Sequence, residues 1–477
     1  MDKKVVVLFL AIFTVLVFLS FLNGPLNWDA LVYIMNAKKI VRGSYVYYED
    51  FRPPLLPLTY AALFKLFSES EAIPRVLSLL FSVAAALTSF FLIKELYGTK
   101  VAYYSTAFLS FSAAFLFWSV NAYTDIPGLF LSMLAFLTYI KGGKFNGSKE
   151  HKSKNGIKRY SWYFISGLLA ALAFLTKYTS AYIIFSLFLY EIFIRKKTDI
   201  KGDIKGYIRS CMKSYFIFLL VAAFAVSPWF YYNWQSYQHP FYPLIENFRL
   251  AKQPNKFKED LNILISLNPI LIISSVIYLL RRKITKSDKT LIILFAPILL
   301  FFVFFAHREV RFFLLPYPLI TAFAAVFLVK NFKRVVFYFL VISSILMIYH
   351  TVTVIGITNR YNNLIKEFSL STENFDGTFY SNFWPQVAYY AEKDVSTFPW
   401  PPQILIESVE NGKVQYFAIY YPFLEPCYLE ESTLDKLPFL NKVVEKEKFN
   451  QRLIIYEVDP SKFSQQDGKN YLSILRC

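Results

Sequence analysis

The chain has 477 residues, of which 56% are apolar and 18% charged, against about 25% charged in a soluble globular protein. Its 35 Tyr, 51 Phe and 7 Trp exclude a disordered or collagenous chain, and its three cysteines define no disulfide scaffold. A net charge of +18 points to nucleic acid in a soluble chain, but here residues 1–355 hold 39 Lys+Arg against 17 Asp+Glu, and residues 356–477 hold 12 against 16. The positive excess lies in the apolar part, where a membrane surface accounts for it without a nucleic-acid partner.

A hydrocarbon core of about 30 Å needs roughly 20 apolar residues per helix. Runs near 5–22, 73–95, 101–120, 124–140, 160–176, 178–194, 214–232, 261–280, 290–306, 312–330 and 335–355 qualify, eleven in all. The first follows Lys3-Lys4 and has no A-x-A cleavage site, so it reads as a retained anchor. The stretch 162–194 is too long for one span and carries Thr176-Lys177-Tyr178-Thr179-Ser180 in its middle, where a lone Lys is expensive. Splitting it there puts 26 Lys+Arg in the loops on the N-terminal side and 13 in the others, as the positive-inside rule requires.

The expectation is an α-helical polytopic membrane protein of about 11 transmembrane helices, with the N-terminus cytoplasmic. Residues 1–355 form the membrane domain, with a long first external loop at 23–72. Residues 356–477 form a small extracytoplasmic α/β domain, with strands near 377–380, 414–421 and 453–458 and a helix over 385–393. No internal repeat supports an inverted-repeat transporter.

The unusual polar residues collect on one side of this topology. In the first loop Asp29 and Tyr33 share a helical face, Asp29 being a cap or a catalyst. Glu49 and Arg52-Pro53-Pro54-Leu55 follow. Asn121-Ala122-Tyr123-Thr124-Asp125-Ile126-Pro127 opens a span, with Asp125 either its N-cap or a functional acid. Lys177 snorkels or binds. His307-Arg308-Glu309-Val310-Arg311 sets three potential cations at an external turn, against the charge bias. Pairing with Glu309 competes there with an anion site.

Two carboxylates and several cations at a lipid–water boundary suit a substrate with an apolar tail and a phosphate. Arg and Lys hold phosphate oxygens, a carboxylate takes the proton of an attacking hydroxyl, and cations stabilise the departing phosphate. The same groups would also serve a flippase or binding protein for a lipid-linked sugar. None of the four histidines lies at ligand spacing from another, so a His-based metal site is not expected; no cofactor is required, and a divalent metal stays open but is not indicated.

The motif set resembles the GT-C superfamily of membrane glycosyltransferases, in the branch of protein O-mannosyltransferases and aminoarabinose transferases. The residues that carry the likeness are Asp29 and Tyr33, Arg52-Pro53-Pro54-Leu55, Asp125 with Pro127, Leu175-Thr176-Lys177, Pro228-Trp229, His239-Pro240-Phe241-Tyr242-Pro243 and Arg311-Phe312-Phe313-Leu314-Leu315-Pro316. Ala30 stands where relatives often carry a second acid beside the first, and no Asp-x-Asp or Trp-Trp-Asp occurs. The resemblance implies an inverting, metal-independent transfer from a polyprenyl- or dolichyl-phosphate sugar to a protein, lipid or glycan acceptor at the outer face of the cell membrane. It implies Asp29 as general base, Asp125 orienting either Asp29's surroundings or a cation, and Tyr33, Arg52, Lys177, Arg308 and Arg311 on the donor phosphate. Glu49, His239 and His307 are further candidates. Cys427 and Cys477 would both lie outside, where a disulfide persists, although spacing gives no warrant for one.

Overall fold

In a computed structural model the structure describes residues 2–44, 46, 49–144, 152–195, 204–250, 257–304, 308–399, 401–421, 427–449, 451–463 and 468–475. His307, Cys477 and the Cys427 side chain lie outside them. The chain forms two compact units, one of residues 1–23 and 50–355, the other of residues 24–49 and 356–477. The division therefore falls inside the long first loop, and again inside the helix Val336–Leu370.

The first unit is a helical bundle. Among the described residues, seven helices are long and apolar enough to cross a bilayer: Lys3–Leu22, Ala72–Tyr97, 125–143, 178–195, 212–237, Lys286–Phe304 and Val336–Leu370. Shorter apolar helices lie at Leu55–Leu66, 160–176, Pro269–Arg281 and Tyr317–Asn331. The expected runs are thus all helical, but several are not single α-helical rods. The run 101–120 bends by 63° between Thr99–Ser110 and Ala113–Ser119. Ser112 caps the second piece, its hydroxyl accepting from Phe115 N. The run 261–280 breaks at Leu267-Asn268, where Asn268 takes φ +61° ahead of the proline that starts the next helix. The run 312–330 starts as the 3₁₀ turn Val310–Leu314. Leu55–Leu66, within the expected loop, is itself a helix.

The bundle packs closely through small residues. A Cβ at Gly167 would stand 2.5 Å from the carbonyl oxygen of Phe218, so these two helices approach only because glycine is there. Two buried acids in the interior are held by several donors. Asp288 accepts hydrogen bonds from Tyr97 Oη, Tyr278 Oη, Thr285 N and Thr285 Oγ1, between 2.7 and 3.1 Å. Glu191 accepts from Tyr139 Oη and Arg195 Nη1, both at 2.6 Å.

The second unit holds the helix Trp28–Arg42, which ends on Gly43 in the left-handed region at φ +82°. It also holds a five-stranded sheet of β1 (Phe379–Ser381), β2 (Val395–Ser396), β3 (Tyr416–Tyr421), β4 (Leu440–Lys448) and β5 (Gln451–Val458). The order is β2-β1-β3-β5-β4, parallel among the first three and antiparallel thereafter. Its core includes Leu405, Phe417, Ile419, Leu434 and Ile454. On the exposed edge Arg452 donates to Glu431 and Glu445, and its hydrogen bond holds the Glu445 carboxyl below the usual range. The helix Trp28–Arg42 packs beside Trp384–Tyr390, with Trp28 edge-on to Trp384 at 4.4 Å.

Where β1 stops, the buried side chain of Asn382 continues the ladder. It accepts from Tyr420 N at 2.9 Å and donates to Tyr420 O at 3.0 Å. Asn382→Ala removes both bonds and should cost this unit about 2–4 kcal/mol, since a buried unpaired backbone group costs roughly 1–3. Hydrogen exchange should show lost protection at the Tyr420 amide, and unchanged protection there would overturn the assignment.

Candidate functional site

The bundle unit gathers several of the polar residues picked out by sequence. Asp125 is the first residue of the helix Asp125–Lys144, and the bond from Gly128 N to Thr124 O puts Thr124 at the cap position. Its carboxylate is therefore not the cap but is 0% exposed, and Lys177 Nζ donates to its Oδ1 at 2.5 Å. Asp125 Oδ2 is buried without a hydrogen-bond partner among the described residues. Lys177 reaches this position because the helix before it stops at Thr176, and Lys177 takes an extended backbone at φ −151° ahead of the 3₁₀ turn Tyr178–Ala181.

Two further segments close on the same place. Lys177 Nζ lies 5.0 Å from the Phe312 ring centre, a cation–π contact. Beside Phe312, Arg311 pairs with Glu309 through Nε to Oε2 at 2.7 Å and Nη2 to Oε1 at 2.9 Å. Its guanidinium stands 5.0 Å from the Tyr123 ring centre and 5.7 Å from that of Trp118. The pairing with Glu309 weighed against an anion site is thus present, on a guanidinium also held between aromatic faces. Tyr178 Oη donates to Phe51 O at 3.2 Å and Asn247 Nδ2 to the same oxygen at 2.8 Å. These bonds fix the segment of Arg52, whose guanidinium lies 5.4 Å from the Phe51 ring centre.

Arg308 lines an apolar groove of about 440 Å³ walled by Leu264, Ile272, Val303, Phe313, Leu319 and Phe323, and its Nη1 donates to Val303 O at 3.3 Å. His239 accepts from Phe241 N at its Nδ1, 3.2 Å away, an exposed turn contact.

In the other unit Asp29 lies half-buried in the first turn of the helix Trp28–Arg42, where the helix dipole favours an acid. The cap position belongs to Asn27, which accepts from Asn362 Nδ2 at 2.7 Å. Tyr33 is buried one turn on. Glu49 is buried, and its backbone N–H and C=O are both taken by the Asn36 side chain. Among the described residues no three His, Cys, Asp or Glu side chains converge as a metal site would require. Sequence reasoning did not single out the rings of Trp118 and Tyr123, which look like ordinary core until the guanidinium is seen against them.

A bundle of apolar helices, broken at polar turns that carry a buried acid–lysine pair and aromatic-held arginines, has the architecture of the GT-C membrane glycosyltransferases. Residues 51–232 match the dolichyl-phosphate-mannose-protein mannosyltransferase family, and residues 257–380 match the Alg9-like mannosyltransferase family. ArnT from Cupriavidus metallidurans bound to undecaprenyl phosphate is similar over 95% of this chain and 98% of its own, at 12% identity and TM-score 0.68. The apo state of that protein gives 14% identity and TM-score 0.65 over 97% and 99%. The archaeal oligosaccharyltransferase AglB from Archaeoglobus fulgidus, in complex with an inhibitory peptide and a dolichol-phosphate, gives 12% and 0.58 over 96% and 74%. No curated protein matches in sequence. The chain is a multi-pass membrane protein with the GT-C fold.

Breaking the Asp125–Lys177 pair should be severe. Lys177→Met strands a buried carboxylate and should cost about 3–5 kcal/mol, whereas Asp125→Leu with Lys177→Met replaces both charges and should recover most of that. Melting temperatures in detergent check this, and a double variant no more stable than Lys177→Met would overturn the pair's part in the fold.

Proposed function

We propose that the protein is an integral membrane glycosyltransferase that moves a sugar from a polyprenyl- or dolichyl-phosphate carrier to an acceptor at the outer face of the cell membrane. The observation that carries this reading is an apolar groove of about 440 Å³ with a guanidinium, Arg308, in its wall. A long apolar tail ending in phosphate is the ligand such a groove fits. The mannosyltransferase family matches and the undecaprenyl phosphate bound by ArnT support the same donor class.

Lys177, Arg308 and Arg311 lie in one unit with Arg52, and with Tyr33 they are the groups assigned to the donor phosphate. Cations there stabilise charge that grows as the sugar departs. Asp125 holds the Lys177 ammonium in place. Asp29 is the general base that accepts the acceptor hydroxyl's proton, with inversion at the anomeric carbon; this role rests on the likeness of its motif. No step calls for a metal. Protein, lipid and glycan acceptors all present the hydroxyl this chemistry requires.

Purified protein in liposomes with labelled lipid-linked sugar tests the class: transfer to an acceptor supports it, and translocation without transfer replaces it with a flippase. Asp29→Asn keeps shape but cannot take a proton, so turnover should fall about 10²-fold or more in a folded protein. Near-native turnover with saturating donor would move the base to Asp125 or Glu49. Arg52→Ala should raise the donor KM and lower kcat together, and Arg52→Lys should recover part of the loss.

Orientation has its own check. A cysteine at the exposed position Lys413 should react with an impermeant thiol reagent on intact cells, and one at exposed Lys289 should not. The opposite pattern would place the assigned cations on the cytoplasmic side and end the outer-face reading.

A further inference from the structure

Behind the turn that carries Arg311 lies a cavity of about 100 Å³ that none of the roles above uses. The short helix Ala113–Ser119, the helix Phe257–Ser266 and the helix Val336–Leu370 wall it, and Val310 of the turn closes it. Its lining has two characters. Phe117 and Trp118 form an aromatic wall, while Asn262, Ser266, His350 and Thr351 bring an amide, two hydroxyls and an imidazole. Among the described residues no acidic or permanently cationic side chain lines it, which suits a neutral occupant.

His350 is the informative member. Its Nε2 is buried and has no hydrogen-bond partner among the described residues. Buried polar atoms are rarely left so. Thr351 Oγ1 donates its proton to Met347 O at 2.8 Å, which leaves that oxygen as an acceptor. The walls are fixed, because Asn268 Nδ2 donates to Ser343 Oγ and Tyr317 Oη to Leu267 O, each at 2.6 Å. A cavity braced in this way keeps its shape for a ligand rather than collapsing.

The dimensions and chemistry narrow that ligand. One water needs roughly 10–15 Å³ of such volume, so about 100 Å³ takes a handful of hydroxyl-sized groups, the scale of one monosaccharide and not of an oligosaccharide. A pyranose presents hydroxyls around its rim and C–H groups on its faces, which the polar and aromatic walls match. Trp118 joins this wall to the cation, since the Arg311 guanidinium lies 5.7 Å from its ring centre. In a glycosyl phosphate the sugar is joined to the phosphate by a single oxygen, so a phosphate on Arg311 puts its sugar within reach of the cavity.

We propose that this cavity seats the sugar of the lipid-linked donor, with His350, Asn262 and Ser266 reading its hydroxyls and Trp118 packing against its ring. The inference rests on the glycosyltransferase reading above and adds to it the residues that select the sugar.

Binding separates the two. Full-length protein in nanodiscs is titrated with dolichyl phosphate, and with dolichyl phosphate carrying mannose or glucose. The wild type should bind at least one sugar-bearing lipid more tightly than the bare lipid. His350→Ala and Asn262→Ala should each weaken that lipid about 10-fold, in line with stranding a buried polar partner, while bare dolichyl phosphate binds within about two-fold of wild type. His350→Gln should recover part of the loss, and Val354→Trp, which fills the cavity, should abolish the preference. Asn262 is exposed, so its variant reads out even if His350→Ala fails to fold. Equal weakening of bare and glycosylated lipid would make the cavity part of the carrier site and overturn the proposal. So would variants that keep the wild-type preference. A wild type that binds no dolichyl phosphate of any kind defeats the donor reading first, and the cavity's assignment with it.

Discussion

A carboxylate with no exposure to solvent must be paired, and Asp125 is paired by Lys177 at 2.5 Å. Much of the bundle's polar end depends on that bond. It requires the helix before Lys177 to stop at Thr176, and the extended residue that follows sets the turn Tyr178–Ala181. The turn places Tyr178, whose hydroxyl holds the segment of Arg52 through Phe51 O. The ammonium then meets Phe312, next to Arg311. Segments distant in sequence are thereby brought to one place by a single ion pair. Such a pair adds little net stability over a well-packed apolar substitute. Its value lies in fixing where the neighbouring cations stand.

A second buried carboxylate in the same unit shows what a structural role looks like. Asp288 accepts from two tyrosine hydroxyls and from both the backbone and the side chain of Thr285. Both of its oxygens are satisfied, and it locks helix ends together. Asp125 has one cation on one oxygen, and its other oxygen is buried and unpaired. Burial alone does not distinguish the two residues. The number of partners does, although Glu191, whose Oε2 also lacks a partner among the described residues, shares the shortfall.

The apolar helices were legible because a bilayer leaves the chain little choice: long apolar runs must be helical to satisfy their own backbone. Asp125 and Lys177 were legible as exceptions to those runs. The breaks were less so, since Ser112 and Asn268 each act through local backbone geometry and look like any small polar residue in an apolar stretch. Leu55–Leu66 was hidden by its 12-residue length and by the prolines that precede it. The strand β4 was missed because Lys442, Glu445, Lys446, Glu447 and Lys448 give it the charge of a loop, the composition an exposed edge strand uses against aggregation. His350 went unnoticed as a lone imidazole in a long apolar helix. Only the cavity beside it gives the residue a role.

One short turn is where these constraints meet. Arg308, just before it, lies in the wall of the apolar groove, Val310 lies in the wall of the polar cavity, and Arg311 is held between Tyr123, Trp118 and Glu309. A groove for hydrocarbon, a cavity for hydroxyls and a guanidinium therefore adjoin within four residues of chain. These are the three environments that the tail, ring and phosphate of a lipid-linked sugar would each occupy. A flippase has to let each part pass and gains nothing by holding all three at once. A transferase gains by it, because fixing carrier and sugar on either side of the bond to be broken spends binding energy where the charge will develop. The turn's arrangement is thus the one that the proposed transfer, rather than translocation, would use.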